Sequence, residues 1–179
     1  DKLIREHKKE DVEPDKQARQ FLLLMDWLNE AGYEHYEISN FAQPGFRSQH
    51  NSSYWKGLPY LGLGPSAHSY NGDSRQWNIA NNALYIQSLQ KDDLPFEKEI
   101  LDLPTQYNEY MMISLRCMEG FNIEAIESRF GKAYLEHTYQ VIQELADKNY
   151  FEKTEQGYCL NKSAKFLADG IASDFFIVR

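Results

Sequence analysis

Apolar residues near the start of the chain recur at helical spacing. From Pro14 onward, Ala18, Phe21, Leu22, Met25 and Leu28 fall three or four residues apart, and Leu24 and Trp27 widen the stripe. Pro14 suits a first turn, Asp15 favours the positive end of the helix, and Gly32 supplies the stop. The pattern predicts a helix buried on more than one side, then a strand over 33–38, an αβ unit belonging to a larger α/β layer. Residues 1–15 alternate acids and bases around few aliphatics and read as a loop or frayed helix.

Farther on, the periods shorten. Residues 43–53 read as a loop with a Pro44-Gly45 turn, and 60–64 and 67–70 as short strands. Asn71-Gly72-Asp73 marks the turn of a hairpin with 75–78, and 81–90 reads as a helix with Leu84, Tyr85 and Leu89 inward. Residues 91–103, charged and bounded by Pro95 and Pro104, place a domain boundary between 1–100 and 101–179. Beyond it a helix opens at Pro104 or Thr105, carries Tyr107, Met111, Leu115 and Met118, and closes at Gly120. Asn122 caps a short helix with Ile123, Ile126 and Phe130. A third runs to Asn149 with Leu135, Tyr139, Ile142 and Leu145. Strands at 150–153 and 158–160 flank a Thr154–Gly157 turn, and Asn161 caps a last helix bearing Phe166, Leu167, Ile171 and Phe175. The class is α+β, and three helices with a β-hairpin describe a winged-helix-like second domain.

Charge removes one use of such a domain. The net charge is −8 and the pI about 5.1, and residues 134–148, where a recognition helix would fall, carry Glu136, Glu144 and Asp147 against Lys148. That excludes nucleic acid held by bulk charge and leaves a lid or docking module. No run approaches the ~18 apolar residues of a membrane span, which points to a cytoplasmic setting. Beginning at Asp1, the chain reads as a piece of a longer protein. Cys117 and Cys159 stand alone and read as core thiols, without zinc or disulfide spacing. No Ser-His-Asp or Cys-His arrangement emerges; His7 and His137 read as surface groups, and His35 as packing against a neighbour.

The chemistry concentrates in 36–70, where glycines, prolines and aromatics crowd together with few charges. His50 precedes Tyr54 and Trp55 by four and five residues. An imidazole there could ligate heme iron while the two rings flank a flat macrocycle, or it could simply hydrogen-bond a carbonyl. Gly62-x-Gly64-x-x-Ala67 imitates a dinucleotide fingerprint, but Pro65 denies it the helix and no acid lies between Asp73 and Asp92. Its glycines instead permit close approach of backbone to a ligand or a strand. Arg47, Lys56 and Arg75 are the nearest cations, and an Arg can grip a carboxylate through two parallel hydrogen bonds.

Three motifs, Tyr36-Glu37-Ile38-Ser39-Asn40-Phe41-Ala42, His50-Asn51-Ser52-Ser53-Tyr54-Trp55 and Gly62-Leu63-Gly64-Pro65-Ser66-Ala67-His68-Ser69, resemble in order and spacing the distal half of the oxygen-independent coproporphyrinogen III oxidase-like radical-SAM family. The H-N-x-x-Y-W form is closer to its heme-chaperone (HemW-like) branch. The resemblance implies the C-terminal part of a partial (β/α) barrel with a β-hairpin extension, then the winged-helix-like domain. It implies His50 as an axial heme ligand beside Tyr54 and Trp55; Arg47 or Arg75 would then be placed to grip a propionate, with a solvated loop charge as the competing role for each. Glu37, Ser39 and Asn40 would sit at ligand-facing strand ends, with a paired structural carboxylate as the competing role for Glu37. Gly62, Gly64, Ser66 and His68 would border a cavity for SAM and substrate. The family's C-x-x-x-C-x-x-C run for a [4Fe–4S] cluster has no counterpart here, so radical chemistry would need the remaining barrel. Expected partners are heme or porphyrin, that barrel, and a heme-acceptor protein. The alternatives are a parent oxidase that decarboxylates coproporphyrinogen III oxidatively, and an interaction module without a cofactor.

Overall fold

A computed structural model describes residues 13–178, so the expectations for 1–12, His7 among them, lie outside the described residues. Helix α1 (Pro14–Glu30) ends as its glycine dictates. Gly32 adopts φ +80°, its N–H bonds the Asn29 carbonyl, and the Tyr33 N–H reaches back to Leu28. The helix is less enclosed than its stripe suggests: Met25 is buried, whereas Leu24 and Trp27 lie in solvent. Strand β1 (Glu34–Glu37) then pairs antiparallel with β2 (Asn40–Ala42) in a tight hairpin. All strand pairing among the described residues is antiparallel, so a barrel edge is not visible in them.

The Pro44-Gly45 turn forms, but helix α2 (Gln49–Trp55) replaces the second half of the expected loop. Ser48 caps it by accepting from the Asn51 N–H. Residues 60–64 make a single bridge, Tyr60 to Tyr70, instead of a strand. The hairpin β3 (His68–Tyr70) to β4 (Ser74–Asn78) is as expected, its turn tied by Asn71 Oδ1 accepting from the Ser74 N–H and hydroxyl. Helix α3 (Asn82–Leu89) has its Asn81 cap, yet Leu84 and Leu89 face solvent. The segment read as a linker contains β5 (Phe96–Ile100), which pairs with β4 along its whole length. Alternating Glu and Lys on this exposed edge strand hid it and now protect the edge.

Asp102 caps α4 (Leu103–Arg116). This helix stops short of Gly120, leaving Met118 exposed beyond its end. Next come β6 (Phe121–Asn122), α5 (Ile123–Phe130), α6 (Lys132–Glu144), a 3-10 turn at Ala146–Lys148, β7 (Phe151–Lys153) and β8 (Gly157–Leu160). A second 3-10 turn (Lys165–Leu167) leads into α7 (Ala168–Asp174). The sheet order is β6-β8-β7, with β6 a two-residue strand that no sequence period announced.

One core binds these elements. Tyr107, Met111, Leu115, Phe121, Ile126 and Phe175 are each at most 1% exposed, and the buried cluster they belong to runs from Tyr107 to Phe175. In α6 the inward face is Thr138, Val141 and Leu145 rather than Tyr139. Tyr107 spends its buried hydroxyl on Thr138 Oγ1 at 2.9 Å, and Thr138 donates in turn to the Tyr134 carbonyl at 2.8 Å. His137 is part-buried rather than superficial, its Nε2 donating to the Phe175 carbonyl.

Candidate functional site

The β1–β2 hairpin is fastened to the end of α4. Ile38 donates its N–H to the Arg116 carbonyl and Met118 donates to Tyr36, so β1 borrows strand partners from residues 116–118. Glu37, 1% exposed, sits at the joint. Its Oε1 accepts from Arg116 Nε at 3.0 Å. Its Oε2 accepts from the Ser39 N–H at 2.9 Å and from Asn40 Nδ2 at 2.5 Å. A carboxylate this buried needs such partners, and Glu37 is paired on both oxygens. Arg116 extends the chain to Asp169 on α7 at 2.6 Å.

On the other side, Asn40 Oδ1 accepts from Asn51 Nδ2 at 3.2 Å. The first two motifs therefore touch: an unbroken relay joins Asn51, next to His50, through Asn40 and Glu37 to α4 and α7. Asn51 and Arg116 are links of this relay that sequence reasoning missed. Asn51 stood within a motif, but Arg116 lies 79 residues from Glu37 with nothing local to mark it.

Helix α2 presents His50 on its exposed face, not in a loop, with the Tyr54 ring edge-on at 5.0 Å. Tyr54 meets Tyr60 in the same manner at 4.9 Å. Tyr54, Trp55 and Tyr60 line an open cavity of about 540 Å³ whose far wall is Tyr110, Met112 and Ile113 of α4. A second, of about 520 Å³, lies between α2 and residues 117–120, and Trp55 walls both. The Trp55 indole N–H is buried without a hydrogen-bond partner. Both cavities back onto Gly120, whose φ is +70° and whose Cβ, if it had one, would lie 2.0 Å from the Tyr158 carbonyl oxygen.

The two arginines expected near a propionate are both engaged. Arg47 bonds Glu34 at 3.0 Å and Glu119 at 2.7 Å, beside the Tyr36 ring. Arg75, on β4, lies between Glu99 and Glu109. The glycine motif turns away from both cavities. Gly62 donates its N–H to Ser69 Oγ, and a Cβ there would fall 2.1 Å from the His68 carbonyl oxygen. Its Gly is thus explained by close approach to a strand. Ser66 takes a left-handed φ of 61°, Gly64 accepts from Asn78 Nδ2, and His68 lies near Trp77 on the exposed side of β3. None of Gly62, Gly64, Ser66 or His68 lines either cavity.

Elsewhere, His35 stacks on Phe41 at 4.1 Å, meets Phe21 edge-on, and donates Nε2–H to the Ile38 carbonyl. Burial, helped by nearby Lys165, holds its pKa below the ordinary value. Burial, then Glu119 and Glu37, pushes the Cys117 thiol up to about 12; burial also raises Cys159. Thiols that resist ionisation and sit on separate elements do not fit an iron–sulfur cluster. Among the described residues no group of His, Cys, Asp and Glu is placed to hold a metal ion, and no helix is long and apolar enough to cross a membrane.

Residues 101–167 match the family model of the HemN C-terminal domain. Heme chaperone HemW of Lactococcus lactis subsp. lactis is 32% identical over 166 residues, covering 88% of this chain and 44% of that protein. The mitochondrial radical S-adenosyl methionine domain-containing protein 1 of Danio rerio is 51% identical over 156 residues, 80% of this chain and 35% of that one. In three dimensions the chain is similar to Escherichia coli HemN, a coproporphyrinogen III oxidase and radical SAM enzyme. The TM-score is 0.67 over 92% of this chain and 42% of that one, at 18% identity. The chain thus spans less than half the length of these relatives; residues 101–167 carry the HemN C-terminal domain, and the HemW heme chaperones are among the proteins it is similar to.

Proposed function

We propose that this chain supplies the heme-binding face of a radical-SAM heme chaperone that carries heme to an acceptor protein. His50 is an axial ligand to the iron, and Tyr54 and Trp55 lie against the macrocycle. One observation carries the reading: α2 holds an exposed imidazole one helical turn from Tyr54, which walls with Trp55 a cavity of about 540 Å³, inside the ~300–1,000 Å³ range of small-molecule sites. The unpartnered indole N–H in that wall calls for an acceptor that the described residues do not provide.

In this reading residues 1–100 complete the partial barrel and its extension, and 101–179 act as a winged-helix-like lid. The exposed Leu23, Leu24 and Trp27 of α1 pack on the other barrel strands, and Gly62, Gly64, Ser66 and His68 border the SAM cavity formed there. The [4Fe–4S] cluster and SAM are held by that portion, since the two cysteines here do not fit them.

Titration of heme into the chain and into His50→Ala, followed by the Soret band, tests the assignment. A Soret shift in the unsubstituted chain that is lost or weakened about tenfold in His50→Ala is expected; equal shifts in both remove His50 from the iron.

A further inference from the structure

We infer that Lys56 and Arg129, which line the 540 Å³ cavity from separate helices, together form a carboxylate clamp that holds the acidic side chains of the tetrapyrrole. The inference rests on the tetrapyrrole reading of that cavity and adds residues to it. Arg75 lines the cavity but is neutralised between Glu99 and Glu109. Arg47 is spent on Glu34 and Glu119, and Arg116 on Glu37 and Asp169. Lys56 and Arg129 line the same cavity, are exposed, and form no ion pair among the described residues. Glu109, the one carboxylate of the lining, is already held by Arg75.

The two cations come from separate elements. Lys56 is the C-cap of α2, directly after Trp55. Arg129 sits in the last turn of α5, its guanidinium 5.1 Å from the centre of the Tyr110 ring and 5.0 Å from that of Phe130. Contact with ring faces orients a guanidinium at little entropic cost and leaves its N–H edges available for a carboxylate. They share the lining with Tyr54, Tyr60, Tyr110, Met112 and Ile113. Aromatic and thioether walls with two unpaired cations in the lining suit a flat apolar body with acidic arms, and heme, whose two propionates leave one edge of the macrocycle, is such a body. In a chain of net charge −8 these two residues also give the cavity mouth a local attraction for anions.

The test compares heme with its dimethyl ester, which keeps the macrocycle and loses both charges, by absorbance titration of the 179-residue chain. Lys56→Gln, Arg129→Gln, the double variant and a Lys132→Gln control are titrated beside it. Lys132 pairs with Glu136 and does not line the cavity. Each single variant is expected to weaken heme binding about tenfold, the scale of one charged hydrogen bond, and the double variant to bind heme and ester alike. Lys132→Gln should match the unsubstituted chain, and the thermal melts should coincide because the replaced side chains are exposed. If the unsubstituted chain binds neither compound, the tetrapyrrole reading and the clamp fall together. If it binds heme and ester equally, or the double variant keeps full heme affinity, the clamp alone falls.

Discussion

The two halves of the chain treat their apolar residues differently. Past residue 101, Tyr107, Phe121, Ile126 and Phe175 vanish into a single cluster built from four helices and a small sheet. Before it, Met25, Tyr36 and Ala42 are buried, while Trp27 is 60% exposed, Phe46 78% and Leu63 83%. The first half is held by what it shares with the second: backbone bonds from β1 to residues 116–118, the Arg116–Glu37 pair, and Arg47 on Glu119. One half therefore carries its own hydrophobic stability, and the other uses polar joints to display apolar surface to something else. The exposed large apolar residues are more numerous before residue 101, although Met112, Met118 and Phe166 past it are exposed too.

The largest effect that would break this contrast is in the core. Tyr107→Ala removes a ring packed on Phe130 and Tyr134 and leaves the Thr138 hydroxyl without its donor. Urea unfolding should show a loss of about 3–5 kcal/mol. Trp27→Ser, at a position equally apolar in sequence, should stay within about 0.5 kcal/mol. Similar losses in the two would mean that the halves do not differ as described.

Next in size is the joint. Arg116→Ala strands Glu37 as a buried charge, for which complete burial would cost ~3–5 kcal/mol. Arg116 is 24% exposed and Glu37 keeps the Ser39 and Asn40 donors, so about 2 kcal/mol is expected. Glu37→Gln with Arg116→Met should recover part of it. No recovery in the double variant would show that the two side chains act independently.

The smallest effect is a pH dependence. Burial depresses the His35 pKa, so between that folded value and the ordinary ~6.5 the unfolded chain binds more protons than the folded one. Stability from this site is therefore complete above about pH 6.5, falls as pH drops through that window, and levels off below the folded pKa. Lys165, 3.4 Å away, disfavours the same protonation, and Glu37 opposes it. His35→Phe, which retains the stack on Phe41, should flatten this part of the curve when urea midpoints are compared from pH 7.5 to 5.5. An unchanged difference between variant and parent across that range would clear His35 of the effect.

Local signals in the sequence were reliable where the chain resolves its own backbone. Gly32 as a stop, Asn122 as a cap and the Asn71 turn could be read because each acts within three or four residues. Elements paired by distant partners were not legible. β5 alternates charge as a solvated loop would, and two-residue β6 is shorter than any period. Helix α2 hid behind weak helix formers, although Ser48 was its cap. For the site, the aromatic and imidazole positions were legible as a group, whereas the commitments of Arg47, Arg75 and Glu37 depend on acids and bases that only folding brings near.

Gly120 gives the cleft a particular character. Its missing side chain lets main chain press against main chain at Tyr158, so at that point of both linings there is no rotamer to change. Adjustment to a guest is left to the side chains around it, Tyr54, Lys56 and Arg129 among them.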